Sequence, residues 1–239
     1  MPTVLITGAN RGIGREFVRQ YAGNDWTVIA TCRQPDKAVE LKMISPSNNI
    51  YIRRMDITNM TEIAKVADEF EGKAIDVLIN NAGISGPLDS SASFGHLDIQ
   101  AWLNVLYVDA IAPLKVTEAF FDQIKSSERK TIVFISSRAG SIAERGLLPH
   151  HKRGGGGPYI YRSSKAALNA AAQSLAFDLI GQGIGVLVLH PGYVKTDMAG
   201  PDAILDPESS VSSMRQIIDN FSPIDNGVFR NYTGEVIPW

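Results

Sequence analysis

An uninterrupted apolar run, Val4-Leu5-Ile6, passes directly into Thr7-Gly8-Ala9-Asn10-Arg11-Gly12-Ile13-Gly14, and a helical pattern follows from Arg15 to Ala22. This junction constrains the fold more than any other stretch. A strand without polar alternation is buried on both faces, as parallel strands in layered α/β proteins are. Glycines at a strand-to-helix turn let backbone amides and the helix N-terminus approach a pyrophosphate without Cβ clashes. The spacing is Gly-x3-Gly-x-Gly, not the Gly-x-Gly-x2-Gly of the long-chain dinucleotide fingerprint. Gly8, Asn10, Arg11, Gly12, Ile13 and Gly14 are therefore candidates for holding a dinucleotide, the alternative being a tight turn that only packs a helix on a strand.

Further buried runs are expected as strands at Thr27–Thr31, Tyr51–Arg54, Ile75–Ile79, Thr131–Ile135 and Val186–Leu189. Six strands alternating with helices predict one α/β domain, a parallel doubly wound sheet with helices on both faces. Phe229–Trp239 is a candidate edge strand. Helical periodicity covers Met60 to Phe70 and, in two pieces around Pro113, Asp98 to Ile124, with Trp102 in the core. A polar segment from 193 to 221, with one helical piece from about Pro207, lies beyond a strand's carboxyl end, where a substrate lid belongs.

The strand ends carry the candidate chemistry. After the second strand comes Cys32-Arg33, where an NAD-selective fold would place an acid for the ribose 2′-hydroxyl. Arg33 and Arg11 instead suit a 2′-phosphate, so NADP(H) is favoured over NAD(H), with Asp36 as the rival acidic candidate. Asp56, in Met55-Asp56-Ile57-Thr58, is a candidate N-cap or a partner for an adenine amino group; Asn59 and Thr58 are also available as caps. Asn80-Asn81-Ala82-Gly83 ends the fourth strand with small residues that let the chain pass beneath a ribose. Ser136-Ser137 ends the fifth, where a hydroxyl would bond a substrate carbonyl oxygen.

Tyr161-Arg162-Ser163-Ser164-Lys165 opens an Ala-rich helical run that ends at Gly181, its expected C-cap. On a helix, positions four apart share one face. A phenol holds its proton too tightly for exchange near neutrality, and an adjacent cation stabilises the phenolate, so Tyr161 and Lys165 form a candidate acid/base unit. The many alanines let one face lie on the sheet and another on a partner helix, which points to a homodimer or homotetramer.

Charge and composition exclude other classes. With a net charge of −2 over 239 residues, no field is present to hold nucleic acid or an anionic membrane. The single Cys32 forms no internal disulfide, the N-terminus lacks a signal-peptide pattern, and no apolar run approaches the ~20 residues of a membrane span. A soluble cytoplasmic protein is expected. Adjacent His150 and His151, beside Lys152-Arg153 and four glycines, have no acidic partner nearby and read as a solvated loop, so no metal site is expected.

Taken in order, Thr7-Gly8 with Gly12 and Gly14, Asp56, Asn80-Asn81-Ala82-Gly83, Ser137, Tyr161 with Lys165, and Pro191-Gly192 with Thr196 resemble the short-chain dehydrogenase/reductase family along nearly the whole chain. Within it, Thr31-Cys32-Arg33, Ala110-Ile111-Ala112-Pro113, His190 to Met198 and Ile237-Pro238-Trp239 look most like the carbonyl-reductase group that includes sniffer and the C-factor-like proteins. The resemblance implies a Rossmann-type fold. It also implies roles: Tyr161 protonates a carbonyl oxygen as hydride arrives, Ser137 orients that oxygen, and Lys165 bonds the nicotinamide ribose. Thr196, with the backbone at Val194, holds the carboxamide, and Ile57, Pro191 and Gly192 join the cofactor site. Ile142, Leu147, Tyr193 and Met198 are expected to form an apolar pocket for a small carbonyl compound.

Two departures stand out. Where the family pattern has asparagine, seven residues after Trp102, this chain has Asp109, able to accept the same hydrogen bonds but charged. The connection from Ser137 to Tyr161 is also long, basic and glycine-rich. An NADP-dependent aldehyde or ketone reductase is the primary expectation. The rival is a signalling or regulatory protein that binds NADP(H) with little turnover, and an extended-branch epimerase or dehydratase is disfavoured, because the chain leaves no room for its larger C-terminal substrate domain.

Overall fold

The computed structural model describes residues 1–44, 49–87, 89–144, 158–200 and 202–239. Its centre is a seven-stranded parallel sheet in the order β3-β2-β1-β4-β5-β6-β7. The strands are β1 (Thr3–Thr7), β2 (Thr27–Cys32), β3 (Ile50–Arg54), β4 (Val77–Asn80), β5 (Thr131–Ile135), β6 (Gly185–His190) and β7 (Phe229–Asn231). The helices are α1 (Gly12–Ala22), α2 (Val39–Lys42), α3 (Met60–Glu69), α4 (Ile99–Leu106), α5 (Ala112–Ala119), α6 (Phe121–Lys125), α7 (Tyr159–Leu179) and α8 (Pro207–Asp219).

Alternate strand residues face opposite layers, which is why the middle of every central strand is a run of consecutive apolar residues. Leu5, Ile29, Leu78, Ile132, Phe134, Val186 and Val188 pack under residues of α3, α5 and α7, such as Val66, Val116 and Leu168. Val4, Ile6, Val28, Val77, Ile79, Val133 and Leu187 pack under Phe17, Val18 and Tyr21 of α1 and Val211, Met214 and Ile218 of α8. The chain starts at β1, winds outward to β3, then returns to add β4 on the other side of β1. Between β1 and β4 the direction of winding reverses, and the crevice beyond their carboxyl ends is where such folds bind ligands.

Several local expectations need correction. The Asp98–Ile124 stretch is three helices, not two, and a π-helical turn, Tyr107–Ile111, lies between α4 and α5. Pro113 sits in the first turn of α5, directly after the π-helical turn. Gly181 does not cap α7. The helix runs on through a 3₁₀ turn, Ile180–Gln182, and it is Gly183, at φ 68°, that adopts the left-handed conformation ending it. Trp102 is only partly buried, because its indole N–H reaches out to Ser163 Oγ at 2.8 Å. The edge strand β7 is only three residues long and pairs in parallel with β6.

Candidate active site

The glycine turn and the end of β4 are built against each other. Gly8, at φ 64°, passes so close to Ala82 that a Cβ would fall 2.9 Å from its Cα. A Cβ on Gly14 would lie 2.3 Å from the Gly8 carbonyl oxygen and 2.5 Å from Asn81 Nδ2. Asn81 Nδ2 donates to the carbonyls of Thr7 at 2.9 Å and Gly8 at 3.2 Å, while Thr7 Oγ1 accepts from the Asn81 and Ala82 amides, both at 3.0 Å. The turn is thus held rigid by side chains that do not enter the crevice.

Helix α1 starts within this turn at Gly12. Its N-cap is Arg11, which makes no side-chain capping bond, and its first turn has no acidic residue. Orphan amides and the positive end of the helix dipole therefore remain available to an anion. A pyrophosphate fits this donor set. At the far end of the crevice Arg33 is exposed, and Arg11, also exposed, pairs across the crevice with Asp197, Nη1 to Oδ2 at 2.7 Å. The rival candidate Asp36 lies exposed in a short 3₁₀ turn after β2. Asp56 is not the cap of α3; Asn59 Oδ1 accepts from the amides of Thr61 and Glu62 at 3.0 and 3.2 Å. Asp56 instead accepts from the Thr58 amide and hydroxyl, at 2.9 and 2.7 Å. The neighbouring Ile57 is buried.

The other end of the crevice is dense. Lys165, on α7, is 5% exposed; its Nζ lies 3.3 Å from the Ile135 carbonyl oxygen, 3.6 Å from Asp109 Oδ2 and 5.8 Å from the centroid of the Tyr161 ring. Asp109 is 0% exposed; Oδ1 accepts from the Ile84 amide at 2.9 Å and Oδ2 from Ser164 Oγ at 3.1 Å. The π-helical turn places this carboxylate. Gly83 leaves room for it, since a Cβ there would sit 3.1 Å from Asp109 Oδ1 and 3.4 Å from Lys165 Nζ. Ser137 ends β5, and its Oγ accepts from the Ala139 amide at 3.1 Å. The turn it caps presses on α7, a Cβ on Gly140 being 2.8 Å from the Lys165 carbonyl carbon.

After β6, Gly192 turns the chain at φ 85°, with the Pro191 carbonyl accepting from Ser210 Oγ at 2.6 Å. Val194 is buried and bridges to Leu205, and Thr196 comes so close to Gly12 that a Cβ there would be 3.1 Å from Thr196 Cγ2. The glycine turn and the segment after β6 are thus the two walls of one crevice. Of the expected pocket, Tyr193 donates its hydroxyl to the Ala199 carbonyl at 2.6 Å, Met198 and Ile142 are exposed, the latter by 77%, and Leu147 lies outside the described residues, as do His150 to Arg153.

Sequence reasoning missed Ser164 and the Ile84 amide as partners of Asp109. The adjacent hydroxyls of Ser163 and Ser164 inside the Tyr161–Lys165 interval were the available signal. It also missed His190, whose Nδ1 is buried without a hydrogen-bond partner among the described residues. Burial first, and then the nearby Arg138 charge, push the His190 imidazole down to about 4.

Comparison with known proteins agrees with this geometry. A family model described as short chain dehydrogenase matches residues 2–203. An NADPH-bound carbonyl reductase from chicken fatty liver superimposes with a TM-score of 0.90 at 33% identity, covering 100% of this chain and 99% of that one. The carbonyl reductase Sniffer of D. melanogaster gives a TM-score of 0.90 at 34% identity, with 100% of both chains covered. The C-signal protein of Myxococcus xanthus is 39% identical over 69% of this chain and 93% of its own. With the glycine turn, the reversal of strand order and these matches in agreement, the chain belongs to the short-chain dehydrogenase/reductase family of oxidoreductases.

Proposed function

We propose that this protein is an NADP-dependent reductase that converts an aldehyde or ketone to an alcohol. When bound, the reduced nicotinamide supplies the hydride. The glycine turn and the uncapped start of α1 bind the pyrophosphate, and Arg11 and Arg33 favour a 2′-phosphate over a free hydroxyl. Ser137 holds the substrate oxygen by a hydrogen bond, and Tyr161 delivers a proton to that oxygen as negative charge develops on it. Lys165 stabilises the resulting phenolate and bonds the cofactor ribose. Thr196 and the backbone at Val194 hold the carboxamide. The part of the 193–221 segment that precedes α8 covers the substrate; α8 itself is anchored in the core by Val211 and Met214. The observation that carries this reading is the buried ammonium of Lys165, set between Asp109, the Ile135 carbonyl and the Tyr161 ring, beside the strand end that presents Ser137.

The test follows NADPH and NADH oxidation by absorbance across aldehydes, ketones, diketones and quinones. Expected is turnover preferring NADPH, lowered on the order of 10³-fold in Tyr161→Phe with cofactor affinity retained. Equal loss of cofactor binding in that variant counts against the role given to Tyr161. A second reading, an NADP(H)-binding regulatory protein without turnover, is favoured by the charged Asp109 and by the likeness to C-signal; cofactor binding with no turnover across the panel is its mark. The protein is further read as cytoplasmic and homo-oligomeric. Among the described residues no helix is long and apolar enough to cross a membrane, and Leu103, Ile111, Phe177 and Ile180 leave apolar surface on the helices for a second copy to cover, which light scattering tests.

A further inference from the structure

Asp109 replaces the uncharged asparagine of the family pattern, and what that substitution alters most is charge. The carboxylate is out of contact with water, held by the Ile84 amide and the Ser164 hydroxyl, with Lys165 Nζ 3.6 Å away. The Asp109 carboxylate and the Lys165 ammonium sum to zero charge. An asparagine at 109 would leave the ammonium of Lys165 uncompensated. Among the described residues, the other ionisable group facing the pair is Tyr161, whose ring lies under Nζ, and Gly83 closes another side with backbone.

A nicotinamide ring carries a positive charge when oxidised and none when reduced. Any net charge buried beside it therefore acts on one oxidation state only, and burial reduces the screening of that interaction. We propose that Asp109 sets the preference of the site between oxidised and reduced cofactor. By cancelling the charge of Lys165, it removes a repulsion that would otherwise weaken the oxidised form. The consequence is a site that retains NADP⁺ more tightly relative to NADPH than an asparagine-bearing site would. This rests on the placement of Lys165 at the nicotinamide end of the crevice.

The test measures equilibrium dissociation constants for NADP⁺ and for NADPH separately, by calorimetry, on the wild type, Asp109→Asn, Lys165→Gln and the double variant. Contacts common to both oxidation states, the ribose bond of Lys165 included, cancel in the ratio of the two constants. Asp109→Asn is expected to shift that ratio about tenfold against NADP⁺, the order of one partly screened charge. Lys165→Gln leaves a lone carboxylate and shifts the ratio the other way; the double variant returns it towards the wild type. An unchanged ratio in Asp109→Asn overturns the proposal, as do single variants that move the ratio in the same direction, which is the signature of lost packing. Should Asp109→Asn fail to fold, the sign of the Lys165→Gln shift decides. If neither cofactor form binds the wild type, the reductase reading falls and this proposal with it.

Discussion

At Lys165 the crevice ends among groups that exclude water: Asp109 is fully buried, its carboxylate bonded on both oxygens, and a glycine makes room for the pair. At Arg11 and Arg33 the same crevice ends in water, with both side chains exposed and Arg11 touching an exposed aspartate. The two ends differ in what a substitution can do. In the dry end each polar group is a fixed part of the structure, so altering one affects stability and chemistry together. In the wet end a charge is free to reorient and is screened, so altering it affects selectivity and little else.

The largest effect that would break this contrast lies at the joint between the two ends. Gly14→Ala puts a methyl 2.3 Å from the Gly8 carbonyl oxygen, which backbone cannot yield without dismantling the Thr7–Asn81 bonds. A loss of about 3 kcal/mol or more is expected in urea denaturation; a loss below about 1 kcal/mol would mean the joint is soft.

Next is the acid stability of the end of β6, where His190 Nδ1 is buried. His190 protonates near 4 in the folded protein and near about 6.5 when unfolded. The unfolded chain therefore takes up its proton first as pH falls, so this contribution is complete above about pH 6.5 and is lost progressively down to pH 4. Wild type should lose about 3 kcal/mol more over that interval than His190→Gln. Parallel stability curves for the two proteins would show that the imidazole is solvated after all.

At the wet end, Arg11→Ala and Arg33→Ala should each weaken NADPH binding about tenfold, leave NADH binding unchanged and leave the melting temperature where it was. Equal weakening of both cofactors would sharpen the comparison differently, by moving these arginines from the 2′-position to the pyrophosphate. The smallest effect is expected from Asp197→Asn, which frees Arg11 from an exposed pair; NADPH should bind tighter by no more than about threefold, and less so in high salt.

The legibility of the sequence follows the same division. Val4–Ile6, Thr131–Ile135 and Val186–Leu189 reveal themselves because a strand buried on both faces has to be apolar at each position. The glycine turn and the Tyr161–Lys165 spacing are local patterns with local causes. Short β7 is less legible, since its pairing with β6 is a long-range event. Gly181 reads as the helix end, and only the backbone shows that Gly183, two residues on, is the one that turns left-handed. The π-helical turn has no signal of its own in Tyr107–Ile111, because what holds it is a carboxylate bonded to Ile84 and Ser164, residues 25 and 55 positions away.

That turn has a further consequence for how this family can vary. Each π-turn adds one residue to a helix that would close more regularly without it. Deleting Val108 would run α4 into α5 without the turn and swing the carboxylate of Asp109 about 100° around the axis of α4, away from Lys165, while placing Pro113 inside the merged helix, where it has no N–H to donate. The extra residue of the turn is what keeps the Asp109 carboxylate facing Lys165.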